Sequence, residues 1–158
     1  MKGKSIPKFE LDSVYRRIDA IGHDQYAVDL SPHILNTAVP REFFSQLFGG
    51  NKRQIFPPIA KKHVMRHGYH HFMFARTEYN PYLPLVPGFP GLKFFCTNDA
   101  PPKWRSRLLK TIIRQLDGTW LYVGEYAFTL APSLTTEEWS SQQPLVSRGL
   151  PMSYPMSC

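Results

Sequence analysis

Proline spacing most constrains what this chain can fold into. The sequence has 15 prolines in 158 residues, about twice the usual share of roughly 5%. Four of them (Pro81, Pro84, Pro87 and Pro90) recur at every third position. Each one pushes the residue before it out of the helical region, which predicts an extended path over 80–90 and argues against a helical bundle. Long connections of this kind often carry function because a scaffold fixes their ends.

Length and composition predict a single globular domain. With 42% hydrophobic and 20% charged residues, the chain has enough apolar surface for one core. We expect an amino-terminal extension over 1–38, a globular core over 39–144 and a poorly ordered tail over 145–158. The two cysteines give no disulfide framework, and no apolar run approaches the roughly 18 residues of a membrane span. We therefore expect no membrane partner and an intracellular location, the nucleus included.

The local signals predict two helices and two strands between residues 40 and 96. A helix over 40–48 follows Val39-Pro40 and ends before two glycines. A second helix over 59–67 ends before Gly68, the usual residue after a helix cap. Strands are predicted at Phe72–Phe74 and, beyond the proline-rich connection, at Leu92–Cys96.

The run 105–116 fits both a helix and a strand. Its leucines and isoleucines fall on one helical face, but the Asp117-Gly118 pair after it is a strong hairpin signal. Because a hairpin needs a strand on both sides, we predict a short helix through about Arg107 and then a strand over 110–116. A long strand follows over 120–130, with a bulge expected at Gly124.

Together these elements predict an α+β fold, with one or two short helices on a strongly bent antiparallel sheet or partial β-barrel. A capped helical turn is expected at TTEEW, with Thr135 or Ser133 as N-cap. Alternation in the long strand places Trp120 and Tyr122 on one sheet face and their aliphatic neighbours on the other. The predicted core residues are Phe43, Leu47, Phe72, Phe94, Leu121 and Val123.

Basic and aromatic residues interleave in the second half of the chain, and the net charge is +7. A positive surplus favours a polyanionic partner, although it also serves solubility. Single-strand binding proteins combine stacking rings with cations, whereas small domains also bury aromatic rings in the core. The nucleic-acid-binding candidates are Arg76, Trp104, Arg105, Arg107, Lys110, Arg114, Trp120, Tyr122 and Tyr126. Further candidates in the long connection and before it are Tyr69, His70, Tyr79, Asn80 and Tyr82.

Catalytic and metal-binding patterns are weak. His63 and His67 are spaced to share a metal on one helix face, but no carboxylate or thiolate nearby in sequence completes the set. The same doubt about ligands applies to His70 and His71. Cys96 lies in an apolar run, where a thiol stays protonated and inert. We predict no metal and no cofactor, and we favour a binding protein over an enzyme.

Five segments in order resemble a known domain. FGG, HGYHHFMF, NPYLPLVPGFPGL, WLYVGEY and TTEEW look like an uncharacterised fungal family, found mainly in basidiomycetes, that has no assigned function. The resemblance covers Val39 to Pro144 and implies a folded domain without implying an activity. It also leads us to expect further helix after Gln143, where SRGLPMSYPMSC instead departs from the pattern.

A weaker resemblance concerns one strand. The spacing of Tyr122, Gly124 and Tyr126 is similar to strands in PUA-like and SRA-like barrels, which read RNA or modified DNA bases. The other SRA motifs are absent from this sequence.

The sequence thus favours a nucleic-acid-binding module, DNA or RNA, that reads a base through an aromatic groove, with a modified base among the candidate ligands. The alternative is a protein-interaction domain that uses the proline-rich loop and the same groove.

Overall fold

A computed structural model describes residues 16–20, 22, 26–94, 107–129 and 131–140. Within these ranges the strands are β1 (Ala38–Val39), β2 (Phe72–Arg76), β3 (Leu109–Arg114) and β4 (Trp120–Tyr126). The helices of the same ranges are α1 (residues 16–20), α2 (Pro32–Leu35), α3 (Arg41–Phe48), α4 (Lys61–His67) and α5 (Thr136–Ser140).

The four strands form one mixed sheet in the order β1-β4-β3-β2. This arrangement confirms the α+β prediction, and the sheet is open rather than closed into a barrel. Pairing is antiparallel for β1–β4 and β3–β4, but β2 and β3 run parallel. The expectation of a wholly antiparallel sheet is therefore wrong for one pair. The long proline-rich connection explains this, because parallel neighbours need a crossover rather than a hairpin.

The β3–β4 hairpin resolves the ambiguity over 105–116 in favour of a strand. The Gln115 N–H donates to the Thr119 carbonyl at 2.8 Å, and Gly118 takes the left-handed conformation with φ of 88°. The Asp117 carboxylate accepts the Thr119 N–H at 2.9 Å and its hydroxyl at 2.6 Å. The predicted helical turn is not helical at Arg107, and residues 105 and 106 lie outside the described ranges.

A bulge in β4 separates two tyrosines that regular alternation would place together. Thr111 pairs with Gly124 while Ile112 pairs with Tyr122, so Val123 is the extra residue. Gly124 has a φ of 129°, which confirms the predicted bulge and favours glycine there. Tyr122 therefore shares a face with Ile112, whereas Tyr126 packs on the opposite face.

Each face of the sheet has its own core. The aliphatic face consists of Met73, Ala75, Leu83, Leu109, Ile113, Leu121 and Val123. The aromatic face consists of Phe72, Phe74, Ile112 and Trp120, with Phe44 of α3 packed on them. The split confirms the predicted alternation around Trp120.

The predicted core is right in the sheet and wrong in α3. Phe72, Leu121 and Val123 are buried, although Phe72 lies on the aromatic face and the other two on the aliphatic face. Phe43 and Leu47 are nearly half exposed, because α3 is rotated so that Phe44 and Phe48 pack against the sheet. Both pairs are four residues apart, so spacing alone does not choose between them.

The chain over 92–94 is irregular, so the strand predicted at Leu92–Cys96 is wrong for its described part. The Leu92 N–H donates to the Tyr82 carbonyl at 2.7 Å, and the Phe94 N–H donates to Asn80 Oδ1 at 2.8 Å. These donors are used within the proline-rich connection and do not extend the sheet. Phe94 is half-buried; residues 95 and 96 lie outside the described ranges.

Helix ends follow their sequence signals. Gly68 is left-handed, with φ of 79°, and ends α4 as predicted, whereas the helix begins at Lys61, two residues later than expected. Thr135 caps α5: its Oγ1 accepts the Glu138 N–H at 3.1 Å while Glu138 accepts the Thr135 N–H at 2.8 Å. Glu138 also forms a bidentate ion pair with Arg17 of α1, which ties the amino-terminal segment to α5.

Candidate functional site

Several predicted site residues prove to be structural. Trp120 is only 7% exposed and packs edge-on against Phe74, with ring centroids 5.8 Å apart. Its ring is part of the core in this conformation and is not available to stack on a base. Asn80 is buried and holds the Phe94 N–H. Trp104 and Arg105 lie outside the described residues.

Tyr126 and Tyr82 support the proline-rich connection. The Tyr126 hydroxyl donates to the Phe89 carbonyl at 2.9 Å, and burial raises the pKa of Tyr126 to about 12. The Tyr82 ring contacts Phe94 edge-on at 5.5 Å. Both tyrosines are therefore used within the fold, on a different side of the sheet from Tyr122.

A different set lies near the beginning of β2 and β3 in two groups. Tyr69, Lys110 and Tyr122 form one group, with Tyr122 opposite Ile112. His71 and Arg107 form the other, and the hydrogen bond from the Lys110 N–H to the His71 carbonyl joins the two groups through the backbone. We call Tyr69, His71, Arg107, Lys110 and Tyr122 the strand-end patch. Tyr69 and Tyr122 are each 43% exposed, and the Lys110 ammonium lies 4.1 Å from the centre of the Tyr69 ring. Such a cation over a ring is attracted by the ring's negative face. The patch thus combines two accessible rings with a cation held between elements.

Glu125 balances the charge of Lys110 in this patch. The two residues face each other across the β3–β4 ladder and form an ion pair. Burial raises the pKa of Tyr122, and the nearby Glu125 and Tyr69 raise it further. Tyr122 therefore stays a neutral phenol at physiological pH, so its ring and hydroxyl carry no repulsive charge toward an anionic ligand.

The end of α4 fixes the position of Tyr69. The Tyr69 N–H donates to His67 Nδ1 at 3.0 Å, while His67 Nε2 lies 3.0 Å from the Phe48 carbonyl. Because a carbonyl only accepts, Nε2 carries the proton and both ring nitrogens are engaged. The Tyr69 ring stacks on His67 with centroids 5.6 Å apart and contacts Phe48 edge-on. Tyr69 is thus held by packing rather than free to reorient.

His71 and Arg107 meet at the same end of the sheet. The His71 carbonyl accepts the Lys110 N–H at 3.0 Å, which starts the parallel pairing. His71 Nε2 lies 3.3 Å from a guanidinium nitrogen of Arg107, and the His70 ring is 5.7 Å away. No carboxylate of the described residues pairs with Arg107. Sequence reasoning named Arg107 and His70 as binding residues but considered His71 only as a metal ligand, because its contact with Arg107 depends on the parallel pairing.

The remaining candidates lie at the other end of β2. Arg76 is exposed and pairs across the ladder with Arg114, whose guanidinium is 3.0 Å from Glu78. Tyr79 follows in the turn and is 44% exposed. A strand of this length separates its ends by roughly 13 Å, so these residues form a second location.

A family model matches residues 38–150 of the chain. The chain belongs to the family of a domain of unknown function, DUF6697. The match spans most of the chain and confirms the predicted resemblance to a domain without an assigned function. No curated protein and no solved structure matches the chain.

Positive charge in the DUF6697 domain is concentrated in one segment. Residues 41–76 hold seven basic side chains and one acidic side chain, so this segment alone accounts for nearly all of the net +7. Lys61, Lys62 and Arg66 of α4 are exposed. α4 ends at His67, two residues before Tyr69, so Arg66 lies in the last turn next to the patch and Lys61 and Lys62 lie at the other end of the helix.

Arg41 is a buried cation that sequence reasoning missed. It begins α3, and its guanidinium carbon lies 3.0 Å from the centre of the Phe74 ring and 5.5 Å from that of Trp120. Burial lowers the pKa of Arg41 to about 10, although the neighbouring Glu42 opposes this. One amino group donates to the Asn51 carbonyl at 2.9 Å. The contacts assign Arg41 to the core between α3 and the sheet.

A shallow groove lies between the hairpin and the proline-rich connection of the DUF6697 domain. It has a volume of about 470 Å³ and is lined by Ala38, Leu85, Gln115, Leu116 and Leu121, among others. Leu116 is almost fully exposed at the hairpin tip. The groove is therefore a second surface of mixed character, because Asn36, Asp117 and Thr119 also line it.

Metal and membrane sites receive no support from the described part of the chain. Among residues 16–20, 22, 26–94, 107–129 and 131–140, no three histidine, cysteine or acidic side chains converge as metal ligands. His63 packs against Gly49, and His67 uses both ring nitrogens as described above. None of the helices in the same ranges has the length and apolar character needed to cross a bilayer.

Proposed function

We propose that this chain is a nucleic-acid-binding module and that it contacts single-stranded DNA or RNA through the strand-end patch and α4. The observation that carries the proposal is the pair of half-exposed tyrosines, Tyr69 and Tyr122, with the Lys110 ammonium over the Tyr69 ring and the exposed lysines of α4 in the preceding helix. Accessible rings next to uncompensated cations are the combination that unpaired nucleic acid requires.

The rings supply the stacking part of the surface. Every base has a π-face, so stacking on Tyr69 and Tyr122 tolerates any sequence and requires bases that are not stacked within a duplex. Tyr69 is fixed by His67 and Phe48, and Tyr122 by its place in β4. A fixed ring loses little conformational freedom when a base stacks on it.

Cations near the rings differ in how free they are to contact phosphate. Lys110 is bound to Glu125, so its charge is partly neutralised before a ligand arrives. Arg107, Lys61 and Lys62 form no ion pair with a carboxylate of the described residues. These three side chains are therefore the ones assigned to phosphate contacts, with α4 extending the track beyond the rings.

The strand that carries Tyr122 bears on the kind of base that would be bound. The similarity of the Tyr122–Tyr126 strand to base-reading barrels supports a nucleic-acid ligand, and we propose a nuclear location with it; the resemblance to a fungal family implies no activity. The bulge at Gly124 limits this support, because it places Tyr122 and Tyr126 on opposite faces. A modified base would therefore be read by Tyr122 together with Tyr69, not together with Tyr126.

Fluorescence anisotropy with single-stranded and duplex oligonucleotides of DNA and RNA tests the proposal. Affinity for single strands should fall steeply between about 50 mM and 200 mM salt, because phosphate contacts release counterions. Arg107→Ala should reduce the slope of log affinity against log salt by about one.

Arg114→Ala is the matched control for this experiment. Its charge is bound by Glu78 at the other end of β2, so the salt slope should stay close to that of the wild type. The proposal fails if the wild type shows no salt-dependent binding, or if both arginine variants flatten the slope equally.

The groove favours a second candidate function, a protein-interaction domain. Leu85 and Leu116 expose apolar surface on its two sides, and the Gln115 amide nitrogen is buried without a hydrogen-bond partner in the described part of the chain. A peptide carbonyl would satisfy that donor. If binding of nucleic acid is salt-sensitive but unaffected by loss of either ring, this second function is favoured.

A further inference from the structure

The contact between the Arg107 guanidinium and the His71 ring depends on the protonation state of His71. An arginine guanidinium has donors only, so the 3.3 Å contact between Arg107 and His71 Nε2 is a hydrogen bond only when His71 is neutral and protonated on Nδ1. The pair is therefore held together by one specific protonation state of the histidine.

The groups around His71 disfavour its protonation in the free protein. Burial, the Arg107 charge and the His70 ring lower the pKa of His71. The Lys110 ammonium and its partner Glu125 lie toward Tyr69 on the aromatic face. Thus the groups that act on His71 are cationic or neutral, and no carboxylate of the described residues offsets them.

An anion reverses this preference. Phosphate oxygens only accept hydrogen bonds, so one phosphate placed at the pair takes a hydrogen bond from Arg107 and, when His71 is protonated, a second charge-assisted bond from it. Arg107 is exposed, so the position is open to a ligand. Phosphate binding and proton uptake by His71 then stabilise each other.

We infer that Arg107 and His71 form a phosphate-binding site at the amino-terminal ends of β2 and β3, and that His71 takes up a proton when a phosphate group occupies it. This inference rests on the proposed function, because it assigns one backbone phosphate of the bound strand to that site. It also makes acidity a regulator of binding.

Binding and stability should respond to acid in opposite directions. A histidine whose pKa is lower in the folded state than in the unfolded chain costs stability as pH falls through the ordinary histidine range, because the unfolded state then binds more protons. Binding of phosphate should strengthen over the same range. A general destabilisation of the fold by acid would instead lower both the stability and the affinity for phosphate.

Titration of oligothymidylate against wild type and His71→Gln at about pH 7.5 and about pH 5.5 tests the site. Glutamine still accepts a hydrogen bond from Arg107 but does not titrate. Wild-type affinity should rise at least about threefold on acidification, with a ceiling of about tenfold per pH unit for one linked proton. His71→Gln should lose most of this rise, so that the ratio of its affinities at the two pH values is close to one.

His33→Gln is the matched control, since His33 is exposed on α2 and should leave the pH response unchanged. Thermal melts show whether each variant is folded. The inferred site is wrong if His71→Gln keeps the full pH response, or if the wild type has none.

A second probe separates this inference from the proposed function. Sulfate is a tetrahedral dianion that does not titrate in this range, and the NMR signals of the His71 ring report its protonation directly. Oligothymidylate binding without any change at His71 would overturn the site and leave the proposed function standing. If sulfate increases the protonation of His71 but oligothymidylate does not bind, the anion site stands and the proposed function is wrong. If neither anion affects His71 and no oligonucleotide binds, both are wrong.

Discussion

The two ends of the β2–β3 pair carry the same residue types in different arrangements. At the amino-terminal end, Lys110 lies over the half-exposed Tyr69 ring, Tyr122 is equally exposed nearby, and Arg107 contacts His71 and pairs with no carboxylate of the described residues. At the carboxyl-terminal end, Tyr79 is equally exposed, but Arg114 is bound by Glu78.

What distinguishes the ends is therefore not composition but the partners of each charge and ring. A charge that is already paired within the fold gains less from a phosphate, because the new contact replaces an existing one. A single ring gives one stacking surface, whereas two rings fixed beside one cation give a site for more than one base. Counts of basic and aromatic residues therefore overestimate how many of these residues can bind a ligand.

The largest expected effect is on the free energy of unfolding, and it compares a core residue with the patch residue next to it in the chain. Leu121 is buried on the aliphatic face and Tyr122 is half exposed on the other face. Leu121→Ala should lower the free energy of unfolding by about 2–5 kcal/mol, and Tyr122→Ala by less than about 1 kcal/mol. Chemical denaturation measures both. An unchanged midpoint for Leu121→Ala, or a large loss for Tyr122→Ala, would mean that the assignment of the two faces is wrong.

A smaller effect should sharpen the difference between the two ends. Glu125→Gln removes the partner of Lys110, and Glu78→Gln removes the partner of Arg114. An exposed ion pair contributes roughly 0.2–1 kcal/mol, so releasing Lys110 within the patch should raise single-strand affinity by about 1.5-fold to 5-fold. Glu78→Gln should raise it less, since Arg114 lies away from the rings. Equal gains would show that the ligand covers both ends.

Local signals in the sequence were sufficient for several elements. The Asp117-Gly118 turn, the glycine that ends α4 and the Thr135 cap each act within a few residues, and each is present as predicted. The hairpin signal also settled the strand at 109–114 against a helical pattern. These features depend on the preferences of neighbouring residues, which a sequence displays directly.

Features that depend on distant contacts were not predictable in the same way. The rotation of α3 depends on which ring pair finds space against Phe74 and Trp120. The parallel pairing of β2 with β3 brings His71 next to Arg107, although they are 36 residues apart. The bulge was expected at Gly124, but its effect on Tyr126 requires the pairing register. Trp120 was taken for a binding residue because its type alone does not reveal burial.

The most direct test of the account compares two exposed tyrosines that differ in location. Tyr122 is 43% exposed within the strand-end patch, and Tyr79 is 44% exposed at the other end of β2. Binding of single-stranded oligothymidylate should be measured for Tyr122→Ala and Tyr79→Ala at low and high salt. Stacking contributes roughly 1–3 kcal/mol per base and depends little on salt. We predict that Tyr122→Ala weakens binding by that amount at both salt concentrations and that Tyr79→Ala binds like the wild type. Equal losses for both variants, or no loss for Tyr122→Ala, would contradict the assignment of the binding site to the strand-end patch.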